Sequence, residues 1–183
     1  QRQGVRQVEP GMMLVAEAEE RGGGDGCIIS SVRRGAWHLG GTGNGTVAFI
    51  SRDDVAATAA ALLLGRGERN KAYDVTGPEA LNWRQVAGLV TEISGVPIEV
   101  VDLTDEQMYA MWDSLGVPRE ATGDFSKSPV PWCSDGMVSL ARAIRTGELS
   151  AVSDTVEKLT GRKPKSLRDM MLEKASTWPK PVA

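Results

Sequence analysis

The sequence predicts an α/β fold, and three observations predict it. Strand-like and helix-like periods alternate from Val47 to Leu115, the apolar residues of each helical stretch recur at three- and four-residue spacing, and glycine or a capping residue stands at most of the changeovers. Beyond Gly116 only helical periods remain. The expectation is two or three short strands, about six helices, and a small, mostly helical lobe at the C-terminal end.

The first thirty residues carry no clear element. Met12 to Glu20 could form two turns of helix, but the run Gly22 to Gly26, GGGDG, would end it at once. A phosphate loop needs a buried strand before it and a helix after it, and this run has neither, so it reads as a linker. Ile28 and Ile29 are a candidate short strand. Ser31 to Gly45 reads as a loop that holds the only histidine, His38, beside Trp37. A general base needs a partner to orient it, and none is evident for His38. The glycines from Gly40 to Gly45 suit a tight turn into the next strand.

That strand, Val47 to Ile50, is β-branched and aromatic, and it hands over to a helix at Ser51-Arg52-Asp53-Asp54, where side-chain oxygens can accept from free helix N–H groups. Ser51 and Asp54 stand at capping-box spacing while Asp53 and Asp54 are themselves able to cap, and the sequence leaves the choice open. Val55, Ala59, Leu62 and Leu63 form one apolar stripe, expected to face a sheet, and Gly65 is placed to end the helix. Ala72 to Thr76 is the second predicted strand, expected at the outside of a parallel sheet and stopped by Gly77-Pro78. Asn82 and Gln85 mark the next helix, whose stripe is Trp83, Val86, Ala87 and Val90 and which ends at Gly95. Val96 to Leu103 has apolar residues on both faces and is expected to be covered on both. Thr104 and Gln107 cap a further helix with Met108, Met111, Trp112 and Leu115 on its apolar side.

Val117 to Pro131 is a loop rich in Pro, Gly and Ser. Three helices follow: Asp135 to Thr146 with Met137, Leu140, Ala141 and Ile144 inward, Asp154 to Thr160, and Leu167 to Ala175 with Met170 and Met171 inward. Ser134, Asp154 and Ser166 are expected caps, Gly147 and Gly161 expected stops. The basic residues from Arg162 to Arg168 are offset by Asp169 and Glu173 and read as a solvated face.

At 183 residues the chain can build one core with a small appended lobe. A net charge of −3 gives no electrostatic reason to expect nucleic acid or an anionic membrane. The two cysteines, Cys27 and Cys133, lack metal-ligand spacing, which points to a reducing compartment. No apolar run approaches the roughly 18 residues of a membrane span, so a soluble, cytoplasmic protein is expected. The sequence starts at Gln1 without a recognisable first element, and is expected to be a processed or incomplete piece of something longer. No catalytic constellation, metal-ligand set or internal repeat is found in it.

Four blocks carry a family resemblance: the glycine turn with VAFISRDDVA (Val47 to Ala56), YDVTGPEALNW (Tyr73 to Trp83), SGVPIEVVDLTDEQ (Ser94 to Gln107) and VSDTVEKLTGRKPKSLRDM (Val152 to Met170). Together they resemble the C-terminal part of an NmrA-like protein, of the atypical short-chain dehydrogenase/reductase group that includes NAD(P)H quinone oxidoreductases. The resemblance covers residues 31–176, leaving 1–30 unmatched and 177–183 as a tail. It implies the C-terminal part of a Rossmann-type NAD(P)-binding fold with a small substrate lobe, the N-terminal dinucleotide-binding half being absent. It further implies NAD(P) as cofactor of the complete family member, none for this chain alone, and a small apolar or quinone-like substrate. A nonenzymatic NAD(P)-sensing regulator and a free-standing interaction module are the alternatives. If a ring binds, the candidate contacts are Trp37, His38, Met111, Trp112 and Trp132, which bring aromatic and Met side chains near turns. Met111 and Trp112 lie on a helical stripe and fit a core role as well, and Trp132 could simply plug the surface after Pro131.

Overall fold

The computed structural model describes residues 36–121 and 123–173, with only the backbone described for 36–40. The expected helix at 12–20, the strand at Ile28 and Ile29, Cys27, the boundary at residue 30, the end of the expected helix at 174–175 and the tail at 177–183 lie outside the described residues. Those residues contain four strand segments, β1 (Ala36–Gly40), β2 (Thr46–Val47), β3 (Leu81–Asn82) and β4 (Glu99–Leu103), and six helices, α1 (Arg52–Leu63), α2 (Trp83–Ser94), α3 (Asp105–Ser114), α4 (Ser134–Arg145), α5 (Thr155–Thr160) and α6 (Leu167–Glu173). β1 and β4 pair in parallel, Ala36 opposite Glu99 and Gly40 opposite Leu103, while β2 and β3 form a short antiparallel pair.

The helix starts follow the local chemistry. At α2 the Asn82 side chain accepts from Gln85 N and the Gln85 side chain accepts from Asn82 N, both at 2.9 Å. At α3 Thr104 and Gln107 do the same, at 3.2 and 2.9 Å. Each box closes two otherwise unpaired donors, so Asn82→Ala and Thr104→Ala are each expected to cost about 1 kcal/mol in thermal or denaturant melts. Gly95 and Gly161 close α2 and α5 in the left-handed conformation, as their positions predict. Asp154 precedes α5 but its side chain makes no cap; it pairs instead with Lys158 at 2.9 Å. At α4 the N-cap is Cys133 rather than the expected Ser134, which lies one residue inside the helix and is fully buried.

The core is built by Val47 and Phe49 before α1, Val86, Ala87 and Val90 of α2, Ile144 of α4, and Leu167, Met170 and Met171 of α6. Phe49 and Trp83 meet edge to face, ring centroids 5.6 Å apart.

Several expectations are corrected. Residues 36–40 are a strand within the stretch read as a loop, because the partner that completes their ladder, β4, is far away in sequence. Residues 72–76 are not a strand. Their polar groups turn to the segment after α4: Ser153 Oγ donates to Asp74 O at 2.5 Å and Ser153 N donates to Thr76 Oγ1 at 2.8 Å. Gly77 then passes so close to Phe49 that a Cβ there would stand 1.7 Å from the Phe49 carbonyl oxygen. β2 ends at Val47 because Ala48 N donates to Leu149 O at 3.0 Å. β4 is half-buried rather than covered on both faces, with Glu99 and Asp102 exposed. Leu115, expected on the apolar side of α3, is 57% exposed beyond the helix end.

The largest correction concerns α1. Its buried residues are Asp54, Thr58 and Ala61, and it packs on α5. The stripe expected to face inward is turned outward at Val55, Ala59 and Leu63. Asp54 sets this orientation. Its carboxylate accepts from Ser51 Oγ at 2.8 Å and Lys165 N at 2.8 Å, and lies 2.6 Å from Arg162 Nη1. Ser51 is the cap, accepting from Asp54 N at 3.0 Å. The basic run from Arg162 is therefore a bridge onto α1 as well as a solvated face.

Candidate functional site

Open parallel sheets bind ligands beyond the carboxyl ends of their strands. Here those ends are Gly40 and Leu103. The chain leaves β1 through a tight turn, Gly45 N donating to Thr42 O at 2.9 Å, with Gly41 and Gly43 at φ 32° and 54°, where a side chain would be strained. The Thr42 and Gly43 amides converge on one carboxylate, donating to Asp102 Oδ1 and Oδ2, each at 3.0 Å. The turn is shaped for an anion, and the protein supplies that anion itself.

A second polar group ties the same end together. Arg145 of α4 donates to Gly41 O and holds Asp105 with two bonds of 3.2 and 3.3 Å, and Arg142 stands 3.6 Å from the same carboxylate. The Arg145 guanidinium holds the Asp105 carboxyl below the usual carboxylate range. A depressed carboxyl stabilises the fold above its ordinary value near 3.8 and loses that contribution as pH falls through its folded value. Asp105→Asn is thus expected to flatten part of the acid-side decline in melting temperature, and to change little at neutral pH because the pair is at the surface.

Beyond this end α3 carries Met108, buried, and Met111 and Trp112, half-buried. The chain doubles back after α3 and brings Trp132 onto Trp112, ring centroids 4.9 Å apart and planes at 87°. Trp112 Nε1 and Ser134 Oγ are buried without a hydrogen-bond partner. Such groups are uncommon in folded proteins, and an indole N–H can only be satisfied by an acceptor. A polar rim stands nearby: Arg119 binds Asp113 through Nε at 3.1 Å and Nη2 at 2.5 Å, and its guanidinium lies 4.6 Å from the Tyr109 ring centroid. A hydrogen bond to the Asp135 carboxylate pushes the Tyr109 hydroxyl above its ordinary value.

The structure thus brings together Trp112 and Trp132, with Met111 beside Trp112 on the same helix. Trp37 and His38 are not in a loop. Their backbones lie on β1 opposite Val100 and Val101, on a strand that neighbours α3, and their side chains lie outside the described residues. The sequence reading passed over Tyr109, Arg119 and Asp135. Tyr109 and Asp113, one helical turn apart, were the available signal; Arg119 reaches them only through the loop after α3.

A dinucleotide pyrophosphate needs free helix-start amides behind a glycine turn. Among the described residues no glycine turn leads from a strand straight into a helix start. Ser51, Asn82 and Thr104 each take up one first-turn amide of α1, α2 and α3, and at α4 Ser134 N and Asp135 N donate to Pro118 O and Arg119 O at 2.9 and 3.0 Å. The glycine turn at 41–45 leads into β2 and already holds Asp102. Among the described residues no group of His, Cys, Asp or Glu could hold a metal ion, and no helix is long and apolar enough to cross a membrane.

No family model matches the chain. It is 32% identical over 136 residues to a (4-alkanoyl-5-oxo-2,5-dihydrofuran-3-yl)methyl phosphate reductase of Streptomyces griseus, which is 74% of this chain and 44% of that protein. It is 31% identical over 136 residues to an NAD(P)H azoreductase of Xenophilus azovorans, 74% of this chain and 43% of that protein. The chain spans less than half the length of these curated relatives. Among solved structures it superposes on an NADPH-dependent quinone oxidoreductase from Escherichia coli with a TM-score of 0.65 at 24% identity, covering 79% of this chain and 48% of that one. A triphenylmethane reductase of Citrobacter sp. gives 0.64 at 23%, covering 80% and 46%. The two structural likenesses show that the matched part shares its fold with part of these Rossmann-type proteins. They agree with the family resemblance read from the four sequence blocks.

Proposed function

We propose, from the premise that the chain is homologous to NAD(P)H-dependent reductases of the NmrA-like kind, that residues 36–173 are the substrate-side portion of such an oxidoreductase. The observation that supports this is the contrast between two kinds of site. The helix starts of α1 to α4 each spend at least one first-turn amide on the protein's own groups, while an aromatic pair, Trp112 and Trp132, covers an indole N–H that has no partner. The first arrangement is a poorer match to a pyrophosphate than a glycine turn that opens a helix. The second suits a flat apolar ring bearing an acceptor atom, such as a quinone, since ligand sites are mostly apolar with a few placed polar groups.

In this reading NAD(P)H supplies the hydride when bound in the complete protein, and this chain's residues hold the acceptor. Met111, Trp112 and Trp132 contact the ring, Trp112 Nε1 orients it through the acceptor atom, and the Arg119, Tyr109 and Asp113 rim bounds the site on its wet side. The Asp105 and Arg145 pair fixes the start of α3 against the turn after β1, and so fixes where Met111 and Trp112 stand.

The test separates binding from turnover. The 183-residue chain, titrated with a naphthoquinone, is expected to show saturable quenching of tryptophan emission and no quinone-dependent loss of NADPH absorbance. Turnover by the chain alone would overturn the substrate-side assignment. Absence of saturable quinone binding would overturn the substrate class.

A further inference from the structure

A serine hydroxyl inside a helix commonly donates back to a carbonyl about one turn earlier. Ser94, Ser114 and Ser139 do so, to Val90 O, Met111 O and Gly136 O at 2.7, 2.7 and 2.8 Å. Ser134 cannot. It is the first residue of α4, so no turn of that helix precedes it, and it stands one place too far inside to be the cap, which is Cys133. Its side chain is fully buried and its Oγ has no hydrogen-bond partner.

Ser134 is tied to the same short connection as Trp112, whose indole N–H is the other unpartnered group here. Val117 N donates to Trp112 O at 3.0 Å, and the carbonyl of the next residue, Pro118, accepts from Ser134 N at 2.9 Å. Trp132, two residues before Ser134, lies edge-on to Trp112. Asp135 N, bonded to Arg119 O at 3.0 Å, fixes the first turn of α4. Each of the two buried polar atoms gave up water on folding and gained no protein bond in return, which is a cost carried by the free protein. A ligand that meets both removes it. The indole N–H takes only an acceptor, whereas the hydroxyl can give or take.

We propose that Ser134 Oγ is a second polar contact of the site, so that the ring it takes carries two oxygens, one for Trp112 Nε1 and one for Ser134. This rests on the function proposed above and narrows it: a ring with two carbonyls, such as a quinone, is preferred to a ring with one. No bond is made or broken at Ser134, whose part is recognition alone.

The experiment follows tryptophan quenching of the 183-residue chain by two ligands. One is 2,3-dimethyl-1,4-naphthoquinone, whose ring carbons are blocked against attack by the free Cys133 thiol; the other is 1-tetralone, with a single carbonyl. The wild type is expected to bind the quinone more tightly. Ser134→Ala is expected to weaken quinone binding about fivefold, the worth of one neutral hydrogen bond, and to change tetralone binding by less than about twofold, since its one oxygen can still meet Trp112. Its melting temperature is expected to stay at or above the wild-type value, because the deleted hydroxyl has no partner in the free protein. Quinone affinity equal in Ser134→Ala and wild type, or no greater than tetralone affinity in the wild type, overturns the proposal and leaves the proposed function standing. Equal losses for both ligands, or a lowered melting temperature, overturn it by showing that the hydroxyl serves the fold. A wild type that binds neither ligand overturns the proposed function and this proposal with it.

Discussion

Replacing Asp54 with alanine is expected to lower stability by about 3 kcal/mol, at the low end of the range for removing one partner of a buried ion pair. The carboxylate is fully buried and is the meeting point of three groups: Ser51 Oγ, Lys165 N and Arg162 Nη1. Without it the Lys165 amide has no acceptor. The Arg162 side chain is 45% exposed and can rehydrate, which is why the low end applies. For a domain of this size the loss corresponds to a fall of roughly 6–12 °C in melting temperature. Asp53 is the control. It is the adjacent carboxylate on the same helix turn, 75% exposed and 3.6 Å from Lys165 Nζ, and Asp53→Ala is expected to change stability by no more than about 0.5 kcal/mol. Equal effects of the two substitutions in thermal melts would show that Asp54 is an ordinary capping carboxylate.

The second large effect concerns the aromatic pair. Trp112→Ala removes one ring of the edge-to-face contact and is expected to weaken quinone binding at least tenfold, and Trp132→Ala to do likewise. Both residues also pack, so a loss of about 2 kcal/mol in stability is expected alongside, less than for a fully buried tryptophan because Trp112 and Trp132 are only half-buried. Trp112→Phe separates the two roles. It keeps a ring but deletes the N–H, and is expected to reduce the preference for naphthoquinone over naphthalene while leaving naphthalene binding near the wild-type value. If the alanine variants melt early yet bind quinone with unchanged affinity, the pair is core and the proposed site is wrong.

What was legible in the sequence was what depends on neighbours in sequence. The two capping boxes, at Asn82 and Thr104, need only residues three apart, and both formed as read. The glycine turn after β1 is equally local. β1 itself was not legible, since Ala36–Gly40 is flanked by glycines and becomes a strand only through β4. Residues 72–76 have strand composition but spend their hydrogen bonds on Ser153, 77 residues away from Thr76. α1 was misread for a related reason. Val55, Ala59 and Leu63 make a conventional inward stripe, and nothing near them says that Asp54 will be claimed by residues more than a hundred positions later. The polar stripe of Asp54 and Thr58, one turn apart, was the visible hint. At the site, Trp112 and Trp132 were nominated separately from composition near turns, but their contact depends on the path of the loop between them.

The distance of that claim on Asp54 has a kinetic consequence. α1 is complete in the growing chain long before Lys165, 111 residues further on, has been made, so the latch on its polar side closes late. α2 and α3, with their local caps, can form at once, whereas the β1 and β4 pairing must first close a loop of some sixty residues. Substitutions at Asp54 should therefore act mainly on the rate of unfolding, and changes in the β1 to β4 pairing mainly on the rate of folding.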